Sequence, residues 1–379
     1  MLTLTDPTDA IDPAALTTPG GFGWWYADIV DAAGNGVVVI VGDGLPFLPG
    51  IASDARAGRP VLASSRPSIN VCVYERGACS FYALQELSSS TLSSSSTTLC
   101  AGGSTISFGA DSDDVGGGFT AKLDLQLPTG RCTGEIVVEG PRRRATGQLH
   151  GLGMTASSLA DVVHRWAPQL GPARGHARLE LDGVPFVVEG SGYHDRNSAT
   201  KPLHALGIAW WVWGRAEVVV DGRPQLRIIY ACWPDGRAAG APDAFGVLVD
   251  DVGVTTVVPV TVELVQRRTW LGMRAVQRLQ ARTLDGASFL VAEAAALVDD
   301  GPFYLRSLWR AAVDGDVDTI NGVVEVVDPH RVDRAWQRPF VRMRVTPTNP
   351  AATSLWQPLF VGRRDGRWQR QRAWLLGTR

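Results

Sequence analysis

The chain has 379 residues, of which 45% are hydrophobic and 20% charged, and its formal net charge is -2. That length and apolar content suit two ordinary domains or one large β domain whose core needs no covalent staple. The balanced charge offers no basic field for nucleic acid, and with no run of about 18 apolar residues no helix is expected to span a membrane.

The N-terminus, MLTLTDPTDAIDPAAL, is acidic and proline-punctuated. It lacks the basic and apolar regions of a secretory signal, so the expected compartment is the cytoplasm. GWWYADIVDAAGNGVVVIVGDG reads as two apolar runs around a Gly/Asn turn, a β-hairpin, and SINVCVYERG as a strand after it. Residues 86–104, ELSSSTLSSSSTTLCAGGS, are serine-rich and read as a long surface connection. FTAKLDLQLPTG and TGEIVVEG are strands, the first with the alternation of a half-buried one. Arg142, Arg143 and Arg144 read as a solvated turn. LADVVHRW (159–166) reads as a short helical turn and HARLELDGVPFVVEG as strands around a turn. GSGYHDRNSATKPL (190–203) then places Tyr193, His194, Asp195, Arg196 and Asn197 side by side. AWWVWGRAEVVVDGRPQLRIIYACW and TTVVPVTVELV are strands again, and DGPFYLRSLWRAAV (300–313) reads as a second helical turn. The tail from Asn349 is rich in Arg and Trp. It either docks on the body, the default for exposed tryptophans, or meets a lipid surface through Trp356, Trp368 and Trp374.

The cysteines Cys72, Cys79, Cys100, Cys132 and Cys232 are odd in number and form no metal-type CxxC pair. Cys72 and Cys79 can face each other across a hairpin, but free, partly buried thiols are expected, in keeping with a reducing cytoplasm. GWWYADIVDAAGNGVVVIVG and AWWVWGRAEVVVDGRPQLRIIY share a layout: a double tryptophan on a strand, a Gly-containing turn and a second apolar strand. Two similar β units closed into barrels or sandwiches explain this. The expected division is 1–200, 201–345 and a tail 346–379, with the 190–203 stretch at the junction, a common place for a pocket.

Several blocks carry a resemblance. GGFGWWYADIVDAAGNG, SINVCVYERG, HRWAP, GSGYHDRN, AWWVWGRA, GPFYLRSL and HRVDRAWQRPFVRMRV resemble, in order, blocks of the carotenoid 1,2-hydratases (hydroxyneurosporene synthases) and their lipocalin-like relatives. The resemblance runs from Gly20 to Val345. It implies a mainly β fold of two lipocalin-like β-barrel or β-sandwich domains packed together. It also implies a cofactor-free lyase that adds water to the terminal C=C bond of acyclic carotenoids such as neurosporene and lycopene. The family's His-x-Trp and Tyr-x-Asp pairs carry over onto His164, Trp166, Tyr193 and Asp195. The chain departs from the family where Ser198 and Ala199 follow Asn197 in place of Trp or Tyr and then Gly, and where GLPFLPG replaces a Phe-Ser-Pro block.

Hydrating an unactivated alkene begins with proton transfer to carbon. The acid must be protonated near neutrality, which needs a carboxyl raised by burial among apolar groups; Asp195 is the candidate. The resulting tertiary cation is best stabilised by aromatic faces, worth roughly 2 kcal/mol or more each when desolvated. Trp166 and Tyr193 suit that task, and His164 can orient the attacking water or take its proton. Strand alternation puts Tyr193, Asp195 and Asn197 on one face, with Asn197 bonded to the carboxyl and His194 and Arg196 opposite. Trp25, Trp211 and Trp213 are candidate substrate-binding residues. No GxGxxG, P-loop or HExxH pattern is present, and His164, His194, Asp195 and His204 lack zinc-enzyme spacing, so no metal or nucleotide cofactor is expected. Taken singly, each residue is more often core, turn former or structural histidine than catalyst. Two other readings compete: a cyclase or pericyclase of a polyene or terpenoid on the same scaffold, and a carrier of an apolar ligand. A lipid-dissolved polyene substrate further implies peripheral membrane contact.

Overall fold

A computed structural model describes residues 2–7, 10–88, 92–94, 98–109, 117–144, 164–236, 239–315 and 318–364. Strand β1 (Leu2–Leu4) and helix α1 (Pro13–Thr17), capped by the Asp12 side chain on the Ala14 amide, lead into the hairpin β2 (Phe22–Val30) and β3 (Gly36–Asp43). Helix α2 (Ile51–Arg56) separates this hairpin from β4 (Pro67–Glu75) and β5 (Ala78–Glu86). The strands β6 (Leu92–Ser94), β7 (Thr98–Ala101), β8 (Ser104–Phe108), β9 (Gly117–Leu127) and β10 (Gly130–Gly140) form an antiparallel meander. Then come β11 (His164–Pro168), β12 (Ala173–Leu181) and the long β13 (Val184–Ala199). From β13 outward the first sheet runs one way through β2, β3, β4 and β5, and the other way through β12, β10, β9, β8, β7 and β6.

The second half is a closed barrel. Its strands are β14 (Ile208–Val220), β15 (Arg223–Pro234), β16 (Asp243–Val249), β17 (Thr255–Arg268), β18 (Arg274–Thr283), β19 (Ser288–Asp300), β20 (Tyr304–Ala312) and β21 (Gly322–Val327), each paired antiparallel to its neighbour, with β21 returning to β14. Closure removes the sheet edges that a second open sheet would expose. Helix α3 (Arg338–Arg342) follows, and β22 (Gly362–Arg363) pairs with β5 on the edge of the first sheet. The fold is mainly β, built of two lipocalin-like sheets.

Three apolar clusters fill it. One lies inside the curl of the first sheet, with Trp25, Ala27, Phe119 and Ile136. Another lies inside the barrel, with Trp210, Trp233, Leu279 and Phe289. The third lies between the two sheets, with Trp24, Tyr26, Trp166, Tyr193, Trp213 and Tyr230. Period-two alternation on β2 and β14 sends adjacent tryptophans to different clusters. It also explains why β3 is buried along its whole length, since both of its faces are covered.

Some expectations are corrected. DGPFYLRSLWRAAV is no helical turn: from Tyr304 it is strand β20, because the barrel needs a partner between β19 and β21 and tertiary pairing overrides local pattern. The HRW of LADVVHRW is likewise strand β11, while 159–163 lie outside the described residues. The serine-rich stretch contains β6, β7 and the start of β8, with 89–91 and 95–97 outside the described residues. Arg143 of the arginine run is buried: its Nε donates to Pro168 O at 2.7 Å and its Nη2 to Thr5 O. In the tail, Leu359 and Val361 are buried and Trp356 is exposed, while Trp368 and Trp374 lie outside the described residues. The cysteines are free thiols, with Cys72 Sγ and Cys79 Sγ 3.6 Å apart.

Candidate active site

The site is built on the last third of β13. This strand leaves β12 at Gly192 and continues between β2 and β11. Two glycines make the crossing possible. A Cβ at Gly190 would lie 2.1 Å from Val30 O, and one at Gly192 would lie 2.7 Å from Val138 Cγ1. Past the crossing, Asp195 stands opposite Tyr26, and Asn197 stands between Trp24 and Trp166. His164 on β11 is two residues from Trp166 and so shares its face.

These side chains form one hydrogen-bonded set. Trp166 Nε1 donates to Asp195 Oδ2 at 2.7 Å and Tyr193 OH to the same oxygen at 2.9 Å. Asn197 Nδ2 donates to Asp195 Oδ1 at 3.0 Å, and Asn197 Oδ1 lies 3.1 Å from His164 Nε2. The amide oxygen can only accept, so a neutral His164 carries its proton on Nε2. Its Nδ1 is left a buried acceptor with no partner among the described residues. Burial pushes the Asp195 carboxyl up to about 7 against the lowering pull of the Trp166 and Tyr193 hydrogen bonds. Burial pushes His164 down to about 4, opposed by its bond to Asn197, and raises the Tyr193 phenol well above its ordinary range.

Asp195 opens on a narrow cavity between the two sheets. The first sheet contributes Trp24, Tyr26, His164, Trp166, Asp195 and Asn197 to its wall. Trp211, Trp213, Tyr230, Tyr304, Glu325 and Val327 come from the barrel's outer surface. The Trp213 ring lies 5.3 Å from that of Tyr193, and the Tyr230 ring 5.5 Å from that of Trp166, so aromatic faces from both sheets surround the carboxyl. Trp213 Nε1 is buried with no partner among the described residues. A second narrow chamber shares Ile40, Leu45, Phe47 and Tyr304 with the first and extends to Tyr82, Asn70 and the Asp299–Arg344 ion pair.

Of the candidate residues, Asp195, His164, Trp166, Asn197, Trp211 and Trp213 line the cavity, and Tyr193 backs it through its bond to Asp195. Trp25 does not. It points to the other face of β2 and stacks on Phe108 at 6.2 Å, whereas its neighbour Trp24 lines the cavity. His194 also points away, with Nδ1 2.8 Å from Tyr26 O and its ring 4.7 Å from that of Phe119. Among the described residues, no group of three His, Cys, Asp or Glu side chains is placed to hold a metal ion.

Two features escape a reading of the sequence. Glu325 is a second carboxylate in the cavity wall, accepting from Arg306 Nε at 2.9 Å; the only sign of it is a lone acid in the apolar strand GVVEVV. Arg143 anchors the carbonyl of Pro168, the residue paired with Asp195.

The fold and site together define a lipocalin-like β protein with a buried acid in an aromatic cavity between its two sheets. A family model for carotenoid hydratase CrtC matches residues 55–353, and the chain belongs to that family. The chain is similar to a hydroxyneurosporene dehydrogenase of Chlorobaculum tepidum, 24% identical over 365 residues that cover 89% of this chain and 91% of that protein. Two crystal structures share the fold. One is a protein of Nitrosomonas europaea assigned as AttH, with a TM-score of 0.55 and 13% identity, covering 81% of this chain and 92% of that one. The other is CghA with Sch210972, with a TM-score of 0.53 and 13% identity, covering 85% and 94%.

Proposed function

We propose that this protein is a cofactor-independent hydratase that adds water to a terminal C=C bond of an acyclic carotenoid or a related polyene. The observation that carries this reading is the Asp195 carboxyl, buried in an aromatic cavity and raised to about 7. A carboxyl so raised is available as an acid near neutrality. Asp195 Oδ2 already accepts two hydrogen bonds, so the transferable proton belongs on Oδ1, which accepts one.

In the proposed reaction, the alkene π electrons take the Asp195 proton, forming a C–H bond at the less substituted carbon and a tertiary cation beside it. The faces of Trp166 and Trp213 stabilise that cation, and Tyr193 behind them holds Asp195. A water lone pair forms the C–O bond, and the surplus proton of the resulting oxonium passes to an acceptor on the cavity wall. His164 Nδ1, an acceptor with no partner among the described residues, orients this water; the Glu325 carboxylate receives the proton and offsets the cation's charge. The net change is addition of one water, and proton exchange with solvent returns both carboxyls to their starting states.

Expression in cells that accumulate lycopene or neurosporene tests the reading. A product heavier by one water supports hydration. An isomer of unchanged mass replaces it with cyclisation, and bound but unaltered polyene with a carrier.

A further inference from the structure

Loop 269–272, between β17 and β18, and the segment 329–344 after β21 meet on one side of the barrel. Arg331 ties them together: Nη1 donates to Gly272 O at 3.3 Å, Nη2 to Leu271 O, and Nε to Pro302 O at 2.9 Å. Its guanidinium also lies 5.7 Å from the centre of the Trp336 ring. Across the same contact Trp270 meets Phe340 edge to face at 5.9 Å. Trp270 is 55% exposed and Trp336 54%.

Around these rings the charge is mostly of one sign. Arg267, Arg268, Arg334 and Arg342 are exposed. Arg331 is held below its usual range first by partial burial, then by Arg334, Arg268 and Arg274, with Asp328 pulling the other way. Arg56 is likewise lowered by burial and by Arg334 and Arg338, against Asp333. The acids in the patch are few and mostly engaged: Asp333 is bound to Arg338 and to the Gly50 and Ser53 amides, and Asp235 to His330. On a chain with a net charge of -2 this arginine cluster is a local exception.

The inner side of the same segment is cavity wall. Val341, Arg344 and Val345, with Gly301, Pro302 and Phe303, line the second apolar chamber, and Gln337 Nε2 and Arg331 both hold Pro302 O.

We propose that this tryptophan and arginine face docks on an anionic lipid bilayer. Exposed indoles favour the headgroup level and guanidiniums bind lipid phosphates, a pairing that suits an interface better than open water. Docked this way, one short segment separates the bilayer from the apolar chamber, and a polyene dissolved in lipid enters without crossing water. That purpose rests on the proposed substrate; the docking does not.

The test uses the full chain with vesicles of phosphatidylcholine alone and of phosphatidylcholine mixed with phosphatidylglycerol. The expected result is co-sedimentation with the mixed vesicles, weakened by salt. Replacing both indoles (Trp270→Ala, Trp336→Ala) should abolish it. Replacing two guanidiniums (Arg268→Gln, Arg334→Gln) should weaken it roughly 30-fold. If a variant fails to fold, quenching of wild-type tryptophan fluorescence by brominated phosphatidylglycerol vesicles gives an independent reading. Failure of the wild type to bind the mixed vesicles, equal binding by the folded variants, or a vesicle-independent dimer through this face would each overturn the proposal. Hydration of lycopene supplied in detergent micelles should survive in the indole variants, which separates failure of docking from failure of the hydratase reading.

Discussion

Asp195 is stabilised as a carboxylate by three donors and destabilised as one by burial, and burial prevails. Turnover should therefore fall as pH rises above about 7, where the acid loses its proton. Asp195→Asn should lower kcat by roughly 10³-fold or more, since an amide delivers no proton. The same substitution has a signature in stability. A carboxyl whose folded pKa exceeds its unfolded one adds stability that is fully present below the unfolded value and lost as pH rises through the folded one. Above pH 7 the native protein therefore carries a buried charge costing on the order of 4 kcal/mol. Asp195→Asn should be more stable than wild type at pH 8 and lose that advantage toward pH 4, as thermal melts would show; a variant destabilised at pH 8 would contradict this. Glu325→Gln acts later in the scheme. It should lower hydration roughly 100-fold while leaving protonation intact, so that in D₂O the recovered alkene still gains deuterium. Absence of deuterium in that variant would place Glu325 in the protonation step instead.

At the scale of elements, β13 does two jobs in one strand. Its first half is an ordinary half-buried partner of β12, and its second half carries the site between β2 and β11. The crossing depends on backbone approaching backbone at Gly190. Gly190→Ala should cost roughly 3 kcal/mol or prevent folding, measured by urea unfolding, even though the residue touches no part of the cavity. Alternation on β13 was legible in the sequence, because period two places Tyr193, Asp195 and Asn197 together in any strand register. The choice between Trp24 and Trp25 was not. Both belong to one apolar run, and which one meets the cavity depends on which face of β2 receives the barrel. Strand β20 is ambiguous in the sequence for a related reason: GPFYLRSLWRAAV is compatible with either period, and the barrel's need for a partner between β19 and β21 decides.

Across the whole molecule, the cavity is outside both lipocalin-like interiors, whose apolar clusters are separate from it, and the barrel keeps an opening of its own between Trp210, Trp233, Leu264 and Arg274. It exists because the barrel's outer surface lies against the first sheet, and two buried contacts bridge them. Arg215 on β14 pairs with Asp28 on β2 and donates to Ser191 Oγ at 2.9 Å; Arg306 on β20 donates to Tyr74 OH on β4 at 2.7 Å. The barrel alone would expose Trp211, Trp213 and Tyr230 as one aromatic surface. Residues 201–345 expressed by themselves should accordingly aggregate on size-exclusion chromatography, and a well-behaved monomer would show that the interface is not needed for folding. The proposed chemistry draws on side chains alone, so activity should survive exhaustive chelation without added nucleotide. Loss on chelation with recovery on a divalent metal would replace the scheme.

The residue types of the site and their spacing lie in the sequence itself, in His164-x-Trp166 and Tyr193-x-Asp195 flanked by glycines, as do the β class and the paired tryptophan hairpins. Those follow from local rules: strand period, turn chemistry and the glycines a close crossing requires. Tertiary structure alone decided that Asp195 is raised toward neutrality, because the groups that bury it come from β2, β11 and the outside of the barrel. The placing of Glu325 and Arg143 at the site, and of Trp25 away from it, was decided in the same way. Burial and opposition across sheets depend on contacts between residues on different strands, from 18 positions apart for Trp213 and Asp195 to 169 for Tyr26 and Asp195, and no local pattern encodes which of two equivalent faces will be covered.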